Sequence, residues 1–224
     1  MLKRILFEPA VIIGGRRKIL VIADLHLGIL KIKQPELVNK LKNLIELNKI
    51  DEVIINGDLK HELGLRNFER KIIEDFTLNL ENTGISRDNI TLVKGNHDGG
   101  IDDLINTASP HGIRIGKVGI LHGHALPSDD VLQAKTILVA HAHPAIALKD
   151  EFGVVKKRIW LEGEIVLNDD KKRIIIMPVF NNLCASTSVN LDRPAGVLFK
   201  RWNYLEAEAM LLDGTLLGKV KLFI

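Results

Sequence analysis

Short apolar runs recur along this chain, and the strongest of them stop at a polar or glycine break. Lys18–Ala23, Glu52–Asn56, Asn89–Lys94, Lys117–Leu121 and Thr136–Ala140 are rich in β-branched residues and show little polar alternation. That is the pattern of strands buried on both faces. Between the first three, apolar positions return at helical spacing. Leu37, Leu41, Leu44 and Ile45 behind Pro35 predict a helix to about Leu47, and Phe68, Ile72, Ile73, Phe76 and Leu80 predict another over Asn67–Leu80. Leu2–Phe7 and Ala10–Ile13 read as edge strands or a hairpin around Glu8-Pro9. A short helix is expected around Ile101–Asn106, a strand at Gly112–Ile115, and a short helix capped by Ser128 and running to Ala134.

Beyond His143 the pattern changes to strands and turns. Ala145–Leu148, Val154–Leu161, Arg173–Met177, Gly196–Arg201 and Tyr204–Leu212 are the predicted strands, with turns at Asp169-Asp170 and Asp213-Gly214. Pro178–Pro194 is polar and irregular and reads as a covering loop. Strands alternating with helices, then mostly strands, give an α/β layered fold with a strand-rich C-terminal part. Neither repeat nor Gly/Ser linker divides residues 1–224, so one domain is expected.

Composition narrows this picture only modestly. Hydrophobic residues are 46% and charged residues 26% of 224, enough for a packed core and unlike a disordered chain. A net charge of +3 is too small to argue for nucleic acid, though it leaves an anionic substrate open. One cysteine, Cys184, forms no internal disulfide and suits a reducing cytoplasm. No apolar stretch reaches membrane-spanning length and no signal-peptide pattern opens the chain. The basic clusters Arg16-Arg17, Lys156-Lys157-Arg158 and Lys171-Lys172-Arg173 read as solvated turns.

The chemistry collects where the buried strands end. Those ends deliver Asp24 and His26, then Asp58, then Asn96, His97 and Asp98, then His122 and His124, then His141 and His143. Taken singly, each is an ordinary polar turn. Taken together, carboxylate, amide and imidazole at five strand tips favour first-row divalent cations, because magnesium prefers oxygen and soft ions prefer the nearly absent cysteine. There are too many donors for one ion and about enough for two sharing a bridge. His61 and Glu62 follow Asp58 closely enough to line the rim, Lys60 is placed there to meet phosphate, and His124 is a further substrate-facing candidate.

The series Asp24-Leu25-His26, Gly57-Asp58, Gly95-Asn96-His97-Asp98, Leu121-His122-Gly123 and His141-Ala142-His143 resembles the calcineurin-like metallophosphoesterases. Gly57-Asp58-Leu59-Lys60-His61-Glu62 and His143-Pro144-Ala145-Ile146 resemble, within them, the archaeal and bacterial (ICC-like) group related to the SbcCD nuclease. The resemblance implies an α/β/β/α sandwich and a phosphoesterase with two divalent ions, manganese first, with iron, zinc or nickel as alternatives. It implies Asp24, His26 and His143 on one ion, Asn96, His122 and His141 on the other, and Asp58 between them. It implies hydrolysis of phosphate esters, foremost phosphodiesters, by a metal-bridging hydroxide. His97 would act beside the scissile phosphate as general acid or transition-state stabiliser, with Asp98 orienting it. The family's final motif has glycine where this chain has Ala140, which adds only a methyl group. DNA repair, a homodimer and a catalytically silent metal-binding scaffold remain alternatives at this level.

Overall fold

The computed structural model describes residues 1–167, 170–197, 199 and 206–221. β1 (Leu2–Arg4), β2 (Val11–Gly14), β3 (Lys18–Ile22), β4 (Glu52–Asn56), β5 (Ile90–Val93) and β6 (Asn106–Ala108) form one sheet in chain order. β1, β2 and β3 are antiparallel neighbours, and from β3 to β6 the pairs are parallel. Helices α1 (Pro35–Asn48) and α2 (Asn67–Glu81) make the parallel crossovers. Proline opens α1 at its first position, where its missing N–H costs nothing.

The second sheet contains β7 (Ile113–Ile115), β8 (Val118–Leu121), β9 (Thr136–Val139), β10 (Pro144–Asp150), β11 (Gly153–Leu167), β12 (Asp170–Ile176) and β13 (Thr187–Ser188). Its order is β13-β10-β11-β12-β9-β8-β7, and β14 (Glu206–Leu211) and β15 (Leu216–Lys221) branch from β11. β8, β9 and β12 run parallel. The short helix α3 (Asp129–Leu132) starts where the Ser128 hydroxyl accepts the Val131 N–H.

Side-chain alternation in the central strands builds the layers. Leu20, Ile22, Val53, Ile55 and Leu92 face α1 and α2, while Ile19, Val21, Ala23, Ile54 and Val93 face the second sheet. That sheet answers with Ile120, Leu138, Trp160 and Ile175, and sends Ile137, Val139, Ile174 and Ile176 outward to Val131 and Phe199. The result is the α/β/β/α sandwich. A strand buried on both faces needs no polar face, which is why these runs are apolar throughout.

Two expectations need revision. Ile101–Asn106 is a series of turns in which Ile101, Leu104 and Ile105 are buried, and Asn106 begins a strand rather than ending a helix. Gly196–Arg201 is not a strand where it is described: Val197 and Phe199 are helical, and Phe199 packs on the outer face of the second sheet. Three or four apolar residues satisfy either period, so tertiary packing decides. The predicted strand over Tyr204–Leu212 begins outside the described residues, as does Asp169 of the predicted turn. Pro178–Pro194 is a covering loop with the short β13 inside it.

Candidate metal centre

Parallel strands of both sheets end at one edge of the sandwich, and ligand sites in such sheets lie beyond the carboxyl ends. β3, β4 and β5 from the first sheet and β8 and β9 from the second therefore converge their tips there. Asp24, His26 and His143 form one group whose donor atoms lie within 4.8 Å of one another; Asp58, His122 and His141 form a second, and His26, Asp58 and His97 a third. Asp24 and His143 are 3.2 Å apart, and so is nearly the distance from His122 Nε2 to Asp58 Oδ2, 3.3 Å. His26 Nε2 reaches the same Asp58 oxygen at 3.7 Å. Asp58 is thus the carboxylate common to two groups. Asn96 lies exposed at the tip of β5, between Gly95 and His97.

The backbone is bent to bring these groups in. Nine non-glycine residues among those described take positive φ, and five are expected ligands: Asp24 (57°), His26 (44°), Asp58 (50°), His141 (66°) and His143 (43°). Each such residue costs about 1–3 kcal/mol and persists where surrounding structure enforces it, most often at a functional site. Two glycines make the approach feasible. A Cβ on Gly57 would stand 2.1 Å from His122 Nδ1, and one on Gly95 would stand 2.2 Å from Asp58 Oδ1. Asp24 N donates to Gly57 O at 3.1 Å and His26 N to Asp58 O at 2.8 Å, locking the first two tips together.

Main-chain carbonyls set the imidazole tautomers. His122 Nδ1–H donates to Asn56 O at 2.9 Å, His143 Nδ1–H to Ala185 O at 3.0 Å, and His97 Nδ1–H to His61 O. Each leaves Nε2 to face inward, the arrangement used by metal-binding histidines. Sequence reasoning missed Asn56, His61 and Ala185 in this role, and nothing in the chain announces it, since every residue has a carbonyl. Ala185 also shows that the 178–194 loop positions a site residue.

Fit to a cation shows in the unpartnered atoms. Asp24 Oδ1, both His26 nitrogens and His122 Nε2 are buried with no hydrogen-bond partner. Buried polar atoms are normally paired. Oxygen and imidazole donors left open toward a common centre are what a first-row divalent ion takes up.

Electrostatics tie the groups together. Burial alone would raise the Asp58 and Asp24 carboxyls, but His122 and His143 beside them hold both below the usual carboxylate range. Burial opposes a charge on His122, yet the Asp58 carboxylate 3.3 Å away and the Asp24 carboxylate beside it lift its pKa to about 9. Against burial, Asp24 also raises His143. His26 and His141 fall to about 4, mainly through burial. Neutral imidazoles beside carboxylates are ready-made cation ligands.

Four candidates outside the ligand groups take varied places. His61 stacks beside His97, ring centroids 5.9 Å apart and 19° between planes. His124 stands at the opposite end, 5.3 Å from the His122 ring, and burial lowers its pKa. Lys60 does not line the rim: it is fully buried, and its Nζ donates to Glu62 O at 2.6 Å, Leu63 O at 3.0 Å and His97 O. Asp98 makes no hydrogen bond to the His97 ring, whose Nδ1 is bonded to His61 O. Its Oδ2 accepts from Asp58 N at 2.7 Å and Gly95 N at 2.8 Å, and Oδ1 from Leu59 N at 2.9 Å. Both residues brace the backbone of the metal-site loops because their long-range main-chain partners satisfy them better than solvent would.

A two-sheet sandwich with open oxygen and imidazole donors gathered at its strand tips is the architecture of a metal-dependent hydrolase. The sequence profile of the calcineurin-like phosphoesterases matches residues 17–196, and the chain belongs to that family. It is an enzyme of the class that hydrolyses ester bonds. The crystal structure of Pseudomonas putida nuclease MPE superposes with a TM-score of 0.64 at 16% identity, covering 95% of this chain and 96% of that one. YfcE, a phosphoesterase from E. coli, is 14% identical over 91% of this chain and 98% of its own, with a TM-score of 0.45. Zinc-complexed Vps29 from Entamoeba histolytica is 16% identical over 91% and 98%, at 0.39. MPE shares the fold; the other two superpose too loosely to carry an argument. Comparison with curated protein sequences gives no match. No helix among the described residues is long and apolar enough to cross a membrane.

Proposed function

We propose that this protein, as a single domain, hydrolyses phosphodiesters at a site for two divalent cations, with manganese the leading candidate. The observation that carries this reading is Asp58: its carboxylate belongs both to the group with His122 and His141 and to the group with His26. Asp24, His26 and His143 would hold one cation, Asn96, His122 and His141 the other, with Asp58 shared. Bound there, divalent cations supply positive charge to phosphoryl oxygens and lower the pKa of water.

The remaining work falls to the chain's own groups. His97 Nε2 is 3.9 Å from Asp58 Oδ2, and its Nδ1 is committed to the His61 carbonyl. Nε2 is therefore the atom that presents a proton to the leaving oxygen or a positive edge to the phosphoryl group. Lys60 and Asp98 keep that imidazole in place by fixing the two loops on either side of it. His61, stacked on His97, and His124, beside His122, flank the metal groups and are the candidates to meet the substrate there. The single Cys184 supports residence in a reducing compartment such as the cytoplasm.

The test is a metal-reconstituted activity panel. It compares an aryl phosphodiester, an aryl phosphomonoester, cyclic nucleotides and single- and double-stranded DNA, with Asp58→Asn as control. The proposal expects diester turnover above monoester turnover, abolished in the control. Turnover on none of them with two metals bound would favour the silent scaffold. Cleavage confined to DNA would narrow the reading to a nuclease, the activity named for MPE.

A further inference from the structure

The opposite edge of the sandwich, where the parallel strands begin, carries a groove of about 820 Å³. Its wall is basic. Arg16 and Arg17 come from the β2–β3 turn, Lys117 from the β7–β8 turn and Arg173 from β12, with Glu52 the one carboxylate among its lining residues. Arg17 is bonded to Glu52 at 2.6 Å, and Arg173 pairs with Glu162. Arg16 and Lys117 are exposed, and among the described residues neither has an ion-pair partner. The floor is different in kind: Ile13, Ile19 and Val118, nearly buried, come from the cluster between the two sheets. Thr136, at the start of β9, also lines the groove.

Read from sequence, these arginines are separate solvated turns. The fold brings them into one concavity with a lysine from the other sheet. Glu52 and Glu162 already pair Arg17 and Arg173, which leaves Arg16 and Lys117 as the groove's uncompensated positive charge, and a concave wall strengthens the field of such a pair. The combination of cationic wall and apolar floor, in a volume typical of small-molecule sites, selects a ligand with both parts. An anion alone would leave the floor wet, and an apolar ring alone would leave the cations unused.

We propose that this groove binds a nucleoside di- or triphosphate, phosphates on Arg16, Lys117 and the outer guanidinium edges, base on the isoleucine floor. It is a separate site. Arg17 and Asp24 bracket β3, so at about 3.3 Å per residue the groove lies roughly 20 Å from the metal centre. A mononucleotide does not span both.

The experiment is equilibrium titration of the full, metal-loaded chain with β,γ-imido ATP, which resists hydrolysis, beside tripolyphosphate and adenosine. Arg16→Glu with Lys117→Glu should weaken β,γ-imido ATP binding about tenfold or more. Arg16→Gln with Lys117→Gln should weaken it less. Hydrolysis of an aryl phosphodiester should be unchanged in both, and Asp58→Asn should bind the nucleotide normally. The proposal is overturned if the nucleotide does not bind, or if charge reversal leaves its affinity unchanged. Loss of binding in Asp58→Asn instead would assign it to the metal centre. Equal affinity for tripolyphosphate and β,γ-imido ATP would remove the base from the floor and refute the nucleotide assignment.

Discussion

Gly57→Ala is the change whose consequence the structure sets most closely. Two costs are separable. Gly57 has φ +84°, where a Cβ costs about 1–2 kcal/mol. The new methyl would also lie 2.1 Å from His122 Nδ1 and 2.3 Å from its Cγ, far inside contact, so the buried imidazole must move. Overpacking of that kind costs about 1–3 kcal/mol, giving a total of about 2–5 kcal/mol. Moving His122 also breaks its 2.9 Å bond to Asn56 O and withdraws Nε2 from Asp58. Gly84 supplies the control, because its φ is +92° but nothing lies within 4 Å of an added Cβ. Gly84→Ala should therefore show the backbone cost alone, about 1–2 kcal/mol. Urea unfolding measures both, and elemental analysis counts bound metal. Gly57→Ala should lose the ion associated with His122 and His141 and retain the one at Asp24, His26 and His143. If the two variants are equally stable and equally loaded, the close approach of Gly57 to His122 is not what positions the site.

Three further outcomes follow from the same geometry. His97→Ala should lower kcat far more than metal content, measured by turnover and elemental analysis on one preparation; equal loss of both would make His97 a ligand. Lys60→Met removes the donor shared by the half-buried carbonyls of Glu62, Leu63 and His97 and loosens the loops they belong to, so it should lower both the urea midpoint and kcat. In chelator, stability should peak near pH 6.5. His122, raised to about 9, stabilises fully below its unfolded value of about 6.5 and loses that contribution as pH rises toward 9. His26 and His141, lowered to about 4, favour the fold only when neutral, so stability falls as pH drops from about 6.5 toward 4. Urea midpoints across pH check both arms, and a flat profile would contradict them.

The layers were legible because β-branched runs such as Val53-Ile54-Ile55 and Thr136-Ile137-Leu138-Val139, each stopped by a polar or glycine break, favour strands covered on both faces. The strand-tip donors were legible for the same reason, since each follows directly on such a run. Lys60 and Asp98 were not. Both look like loop polars in sequence, and their roles depend on carbonyl and N–H partners such as His97 O and Asp58 N, about forty positions away. Ile101–Ile105 misled because three buried apolar residues in tight turns imitate a helical period. The basic groove was illegible as a unit: Arg16, Lys117 and Arg173 meet only through packing of the two sheets.

The central claim is that one carboxylate serves two cations. Counting metal per chain after reconstitution in wild type, Asp58→Asn and His26→Ala tests it most directly. Two ions in wild type, loss of both in Asp58→Asn and loss of mainly one in His26→Ala is the predicted result. Retention of one full equivalent by Asp58→Asn would contradict it.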